Sequence, residues 1–419
     1  MFITMSLSAL PTTPSLMIPE PLRGIEPDTF AEHTMSVRLP EITLRLLKEG
    51  DWSQKAVVAL QALADSMPHG AIRPLQDNGA PDANDWERNM LPYLGQIWLQ
   101  APWFVAENYF FRRILEATGY YQPGPGQGVD PYTTQKRQGL AIVLDGLSPL
   151  CAQIDALHTI SRSSRLQLQE PFTHLLQLVI WGNQADLSMW QPGREGHPDR
   201  PESDSLDTRL LDQDASEVSR YLISLTKRPV RVDFILDNSG LELAYDLALA
   251  DFLLASGLAH SIWFHVKPHP TYVSDVTVRD LMEILDFLEA TDDRCVCSLV
   301  GRLRSYLSGQ ILRLKTNFFW TSPLSGWEMP SGLRQELSES DLIISKGDAN
   351  YRRWVGDRHW HFTTSLQKVL SYLPAPLVAL RVLKAEVVIG LQPGQQEEMD
   401  RIDPKWLFNG RWGIIQFTG

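Results

Sequence analysis

The stretch Val230-Arg231-Val232-Asp233-Phe234-Ile235-Leu236-Asp237-Asn238-Ser239-Gly240-Leu241-Glu242 decides how this chain is read. Residues 230–236 are rich in β-branched and apolar side chains, as a buried strand is. The run then breaks into acid, amide, hydroxyl and glycine. Residues 240–256 follow with helical texture, so the segment reads as strand, turn and helix. In open α/β sheets, ligands bind beyond the carboxyl ends of the strands. Asp237 and Asn238 stand at such an end and supply hard oxygen donors of the kind Mg²⁺ and Mn²⁺ accept. A helix N-terminus close by favours anions such as phosphate. The same residues also read as helix caps, with Asn238 or Ser239 accepting from the first amides of the helix. Pattern alone leaves both readings open.

Downstream the alternation continues. Residues 261–266 read as a strand and 278–290 as a helix. Further short strands are expected at 342–345, 377–380, 386–390 and 414–417. Alternating strands and helices predict a largely parallel sheet with helices on both faces. Upstream the texture is helical, with apolar residues at helical spacing over 42–67, 101–117, 138–161 and 166–181. Residues 122–128 break it with Pro and Gly. Residues 191–207 are polar and read as a long surface loop, and 216–226 read as a helix. The expected fold class is therefore α/β: a mainly helical N-terminal region over 1–215, then an α/β/α sandwich over 216–419.

The 419 residues suffice for more than one core, and 43% hydrophobic with 21% charged residues is ordinary for a globular protein. No apolar run reaches the roughly 18 residues of a membrane span. Residues 1–18 lack a basic start and carry Pro11 and Pro14, so a frayed leader is expected there and not a secretory signal. The formal net charge of −12, with no basic block, argues against a nucleic-acid partner. Cys151, Cys295 and Cys297 form an odd, sparse set that suits a reducing cytoplasm, and they are expected as buried thiols. There is no phosphate-binding Gly-x-x-x-x-Gly-Lys-Ser/Thr loop, no Gly-x-Ser-x-Gly elbow and no Cys-x-x-Cys zinc site.

Three more constellations stand at strand ends. Lys267-Pro268-His269-Pro270-Thr271-Tyr272-Val273-Ser274-Asp275 follows the strand at 261–266. Asp275 reads as a ligand or as the cap of the next helix. His265 and His269 are spaced like a helical metal pair, but Pro268 and Pro270 exclude a helix, so that pair is discounted. Next, an apolar strand runs into Lys346, Gly347, Asp348, Asn350 and Arg352. These can meet a phosphate through a cation, an amide or a backbone N–H, and a plain Gly-Asp turn is the alternative. Last, Arg381-Val382-Leu383-Lys384 brings two cations to a strand end, which as a lone tetrapeptide decides nothing.

Taken together, these strings resemble the damage-control phosphatases, subfamily III. The resemblance continues upstream at Arg38-Leu39-Pro40, Ala101-Pro102-Trp103, Ala106-Glu107, Trp181-Gly182-Asn183 and Asp186-Leu187-Ser188. Downstream it takes in Phe264 to Lys267, Lys384-Ala385-Glu386 and Asn409-Gly410. It implies a metal-dependent phosphatase acting on a small phosphorylated metabolite, such as fructose 1-phosphate or fructose 6-phosphate, in the cytoplasm and with no membrane partner. A divalent ion (Mn²⁺, Co²⁺ or Ni²⁺, with Mg²⁺ as a further candidate) is implied on Asp237, Asn238 and Asp275. Implied substrate contacts are Glu242, Asp348, Ala349, Asn350, Tyr351, Arg352 and Lys384, with Asp237, Asp348 and Lys384 in catalytic roles. The family's Arg-Thr-x-Lys motif carries Val382 in place of Thr here, and Ala349 stands where Leu is usual. Altered tuning with retained activity is the expectation. A carboxyl methyltransferase using S-adenosylmethionine, a role proposed for one family member, and a non-catalytic binder are the competing readings. Against the first, Gly240 stands alone in its loop, without the glycine-rich cradle a nucleoside cofactor needs.

Overall fold

The computed structural model describes residues 11–159, 165–185, 207–225 and 228–419. Residues 191–206 of the expected loop at 191–207 and the first ten residues of the expected leader lie outside them. Within the described part of the leader, Ser15 is tied down: its amide donates to the Lys368 carbonyl at 3.1 Å and its hydroxyl to the same carbonyl at 3.0 Å.

Helices come first: α1 (Phe30–His33), a π-helical turn (Thr34–Arg38), α2 (Leu39–Glu49), α3 (Gln54–Ser66), α4 (Ala83–Met90), α5 (Trp103–Thr118), α6 (Thr133–Leu140), α7 (Val143–Thr159) and α8 (Gln169–Val179). Strands then alternate with helices: β1 (Leu210–Gln213), α9 (Ala215–Ser224), β2 (Arg231–Ile235), α10 (Leu241–Ala255), β3 (Ser261–Val266), α11 (Val278–Glu289), α12 (Arg294–Ser308), β4 (Leu312–Thr316), α13 (Ser331–Leu337), β5 (Leu342–Lys346), α14 (Asp348–Val355), α15 (Leu366–Val369), β6 (Leu377–Val382), α16 (Gln395–Ile402) and β7 (Gly413–Thr418). The seven-stranded sheet runs β1-β7-β6-β5-β2-β3-β4. Every neighbouring pair is parallel except β6 and β7. The chain thus winds from β2 to β3 and β4 in one direction, and from β5 to β6 in the other. The order reverses between β2 and β5, and that switch point is where an α/β sheet opens a crevice.

Side chains alternate across the sheet. Ile235, Ile343 and Ala379 enter a first core with Met35, Leu39, Leu60, Trp98 and Phe110 of the N-terminal helices. Phe234, Ile344, Leu380 and Val382 enter a second core with α7, α8, α10 and α12. Both cores thus draw on both sides of residue 215, and β1 joins the sheet from ahead of it. Among the described residues no single helix is long and apolar enough to cross a membrane. The bent pair of α6 and α7 passes by composition, but Val143, Leu147, Leu150 and Ile154 of α7 are buried in the second core.

Some expectations need correcting. The helix read over 42–67 is two helices. Gly50 ends α2 in extended backbone, and Ser53 caps α3 by accepting from the Ala56 amide. Residues 386–390 form no strand. Val387, Val388 and Ile389 are buried, but Ile389 N–H donates to the Tyr351 hydroxyl at 3.2 Å and Gly390 turns at φ 84°. Cys151 is buried as expected, whereas Cys297 is exposed and Cys295 half-buried. The amphipathic α12 turns Val296, Leu299, Val300 and Leu303 to the core instead.

Candidate active site

Two loops meet over the switch point. The one after β2 carries Asp237 and Asn238, and the one between β3 and α11 carries Asp275. Asn238 and Asp275 pair as an antiparallel bridge. Val276 N–H donates to the Asp237 carbonyl at 2.8 Å, and Ser239 N–H to Ser274 at 2.7 Å. Neither loop caps its helix with these residues. The N-cap of α10 is Gly240, at φ 75°, with no side-chain cap. The cap of α11 is Thr277, locked in a capping box with Asp280. Asn238 Nδ2 donates to Asp237 Oδ2 at 2.8 Å and to Glu242 Oε2 at 2.9 Å, and its Oδ1 accepts from the Ser274 hydroxyl at 2.7 Å. Tyr272 and Val273, at φ 47° and 68°, hold the second loop in left-handed backbone. For a β-branched valine that is a strained conformation, and such strain collects at functional sites. Gly347 lets the next loop approach: a Cβ there would lie 1.9 Å from Asp237 Oδ2.

The cleft is half open to solvent, and about 420 Å³ lies free of protein atoms in it when the solvent-facing part is counted. The loops at the strand ends line it with Asp237, Asn238, Tyr272, Asp275, Asp348, Ala349, Arg352 and Lys384. The N-terminal helices add Phe30, Arg38, Trp103 and Glu107. Asp237 and Asp275 are buried, at 5% and 2% exposure. Lys267 Nζ balances Asp275 at 3.2 Å and donates to the Leu236 carbonyl at 3.2 Å. Asp348 Oδ1 accepts from Arg381 Nε at 2.8 Å and from Lys384 N–H at 3.1 Å, tying the loop after β5 to the loop after β6. Arg352 binds Glu107 at 2.7 Å and Asp357 at 2.8 Å and lies 3.7 Å over the Trp103 ring. Burial opposes its charge, but Asp357 and Glu107 outweigh that and hold it well above the usual arginine range.

Other expected site residues stand behind the cleft. Glu242 lies 3.4 Å from Lys346 Nζ, which also binds Asp246 at 2.7 Å and the Val179 carbonyl at 3.1 Å. Burial pushes the Asp246 carboxyl up to about 7. Lys346, read from sequence as a phosphate contact, is thus wholly buried on the α10 side. Asn350 Nδ2 donates to the Leu236 and Lys346 carbonyls at 3.2 and 2.8 Å, and the Tyr351 hydroxyl donates to Gln416 Oε1 at 3.0 Å. Glu242, Asn350 and Tyr351 do not line the cleft. Val382 lies in the second core, across the sheet from it. His265 faces Asp233 at 3.3 Å, and His269 faces Asp82 at 3.7 Å, so the two do not form a pair.

Sequence reasoning assigned no role to Phe30, Arg38, Trp103 or Glu107. One signal for Glu107 was present: α5 is buried almost all round, and a glutamate inside such a helix needs a partner. Among the described residues no group of three His, Cys, Asp or Glu side chains forms a metal cluster. The cleft offers two buried carboxylates and an amide, and this hard-oxygen set fits Mg²⁺ or Mn²⁺.

Residues 34–399 match the model of the damage-control phosphatase ARMT1-like domain. Damage-control phosphatase ARMT1 of Rattus norvegicus is 36% identical over 77% of this chain and 75% of its own length. Those of Danio rerio and Homo sapiens are 33% and 30% identical, each over 96% of this chain and over 98% and 99% of their own. A solved DUF89 family protein from Pyrococcus horikoshii shares 13% identity at a TM-score of 0.46, over 90% of this chain and 95% of that one. With a family model spanning most of its length and relatives covered nearly end to end, the chain belongs to the damage-control phosphatase ARMT1-like family.

Proposed function

We propose that this phosphatase hydrolyses the phosphomonoester of a small sugar phosphate, such as fructose 1-phosphate or fructose 6-phosphate, with a divalent ion held by Asp237, Asn238 and Asp275. The observation that carries the reading is that Asp237 and Asp275 stand just ahead of helices, are buried, and cap neither. Burying carboxylates has a cost, and here a nearby lysine and the cleft set the terms. A bound Mn²⁺, Co²⁺, Ni²⁺ or Mg²⁺ supplies Lewis-acid polarisation of the phosphoryl oxygens.

This chain's own residues bind and orient. Lys384 and Arg352 face the phosphoryl group and neutralise charge that grows in the transition state. Asp348 fixes Lys384 through its main-chain amide and fixes Arg381 beside it. Ala349 leaves room at the floor. Glu107 accepts sugar hydroxyls, and Trp103 supports the Arg352 guanidinium with its ring face. Glu242 acts through Asn238, whose amide it holds, and Asn350 acts through Lys267 and the end of β2. Tyr351 braces the loop before Gly390. Three free cysteines are consistent with work in a reducing cytoplasm.

The test strips the protein with chelator and restores each metal in turn, reading phosphate release from p-nitrophenyl phosphate and a panel of sugar phosphates. Release restored by metal, fastest on a ketose phosphate, is the expected result. If no metal restores release on any substrate, the reading fails.

A further inference from the structure

Lys136 lies outside the cleft, on α6, yet it reaches the loop that carries Asp275. Its ammonium is buried and donates three times: to Asp130 Oδ2 at 2.9 Å, to Asp280 Oδ2 at 2.8 Å and to the main-chain carbonyl of Asp275 at 3.0 Å. An ammonium has three protons, so all are used. Asp280 is not a passive partner. The same Oδ2 accepts from Thr277 N–H at 2.8 Å and from the Thr277 hydroxyl at 2.7 Å, closing the box that starts α11. Asp130 is fixed in turn by accepting from Tyr132 N–H at 2.8 Å. One lysine thus clamps both ends of the segment from Asp275 to Asp280, directly after the strained pair Tyr272 and Val273.

The same helix touches the other loop. A Cβ on Gly240 would lie 3.5 Å from the Gly139 carbonyl, so α6 runs beside both the Asp237 loop and the Asp275 loop. We infer that Lys136 is a positioning residue for the metal site, holding the main chain of Asp275 so that its carboxylate, the Asp237 carboxylate and the Asn238 amide oxygen meet a single ion. The inference rests on the proposed reading of Asp237, Asn238 and Asp275 as ion ligands. Groups that orient ligands without touching the ion are worth about 10–100-fold in metal affinity when lost.

The experiment titrates the full chain with MnCl₂ and counts free Mn²⁺ by electron paramagnetic resonance, with no substrate present. Lys136→Met removes the clamp but leaves Asp130 and Asp280 facing one another. Lys136→Met with Asp130→Asn removes it with less strain. Asp130→Asn alone keeps the lysine but slackens its hold, and decides the matter if the other two do not fold. Arg302→Met is the control, because half-buried Arg302 on α12 ties buried Asp251 of α10 to half-buried Asp155 of α7, away from the cleft. The expected result is Mn²⁺ affinity lowered about 10–100-fold in the Lys136 variants and severalfold in Asp130→Asn, with Arg302→Met at the wild-type value. Excess Mn²⁺ should then restore turnover with an unchanged KM for substrate. Folded Lys136 or Asp130 variants with lower melting temperatures and wild-type affinity would overturn the inference and leave Lys136 a purely structural ion pair. A wild-type chain that binds no Mn²⁺, Co²⁺, Ni²⁺ or Mg²⁺ would instead overturn the metal reading itself, and the inference with it.

Discussion

Asp237 and Asp293 occupy the same local place, an acid shortly ahead of a helix, and they meet opposite fates. Asp293 caps α12. Its Oδ1 accepts from the amides of Cys295 and Val296 at 2.9 and 3.1 Å, and those amides, with the Ser148 hydroxyl, hold its carboxyl below the usual range. Asp237 caps nothing. Gly240 takes the cap position, and the Asp237 carboxylate receives the Asn238 amide and packs against Gly347, more than a hundred residues on. The first acid is explained by its neighbours in sequence. The second is explained only by the loops after β3 and β5, which converge on it from elsewhere in the chain.

The comparison breaks most readily at the support behind the cleft, which Asp293 has no need of. Asn238 hangs on Glu242, and Glu242 lies beside Lys346. Lys346→Met leaves Glu242 and Asp246 buried without their cation, and about 3–5 kcal/mol of stability should be lost. Urea unfolding measures it, and a loss below about 1 kcal/mol, the scale of a surface pair, would show that the cluster supports nothing. Next, Asp237→Asn keeps the shape and removes the charge. Its phosphatase rate should fall about 10²–10³-fold, on the scale of other charge-stabilising groups. A variant at near-normal rate would return Asp237 to the class of Asp293.

The Asp275 loop carries a pH signature through His269. Burial lowers its imidazole to about 4, against the attraction of Asp82 and the Pro270 carbonyl and with a smaller push from Arg112. The unfolded chain therefore binds more protons than the folded one between about 6.5 and about 4. Stability from this group is complete above about pH 6.5 and drains away as pH falls toward 4, by about 3 kcal/mol in all. Unfolding free energies across that window should lose most of this slope in His269→Gln. An unchanged slope would mean that other groups set it. The smallest effect belongs to Asp293→Ala, which should cost about 1 kcal/mol as a lost cap and leave turnover untouched. A fall in turnover would blur the contrast with Asp237.

How much of this was legible depended on whether a local pattern was enough. The strands at 230–236, 261–266, 342–345, 377–380 and 414–417 stand out as compact apolar runs, and they form β2, β3, β5, β6 and β7. β4 was missed because Arg313 and Lys315 interrupt it, as charges do on an edge strand. The buried run at 386–390 looked like a strand because burial alone makes a segment apolar.

At the site, sequence placed the acids at strand ends but could not separate ligand from cap. It also misplaced Lys346, and the alternation of strand side chains would have corrected that. Leu342 and Ile344 face the second core, so Lys346 faces it too, away from the cleft. By the same period Val382 follows Val378 and Leu380 into that core, while Asp237 follows Ile235 toward the first. The exchange of Thr for Val382 therefore alters packing behind the sheet and not the cleft wall. Arg38, Trp103 and Glu107 stood in strings that carry the family resemblance, but their place in the cleft, like that of Phe30, was not legible, because they belong to helices whose approach to the sheet is set by the first core.

The most direct test is a crystal of the full chain grown with Mn²⁺, with anomalous scattering used to locate the ion. The account predicts a peak bounded by Asp237, Asn238 and Asp275, absent in Asp237→Asn crystals grown alike. Mn²⁺-dependent phosphatase activity with the peak elsewhere, or with no peak among these three residues, would contradict it.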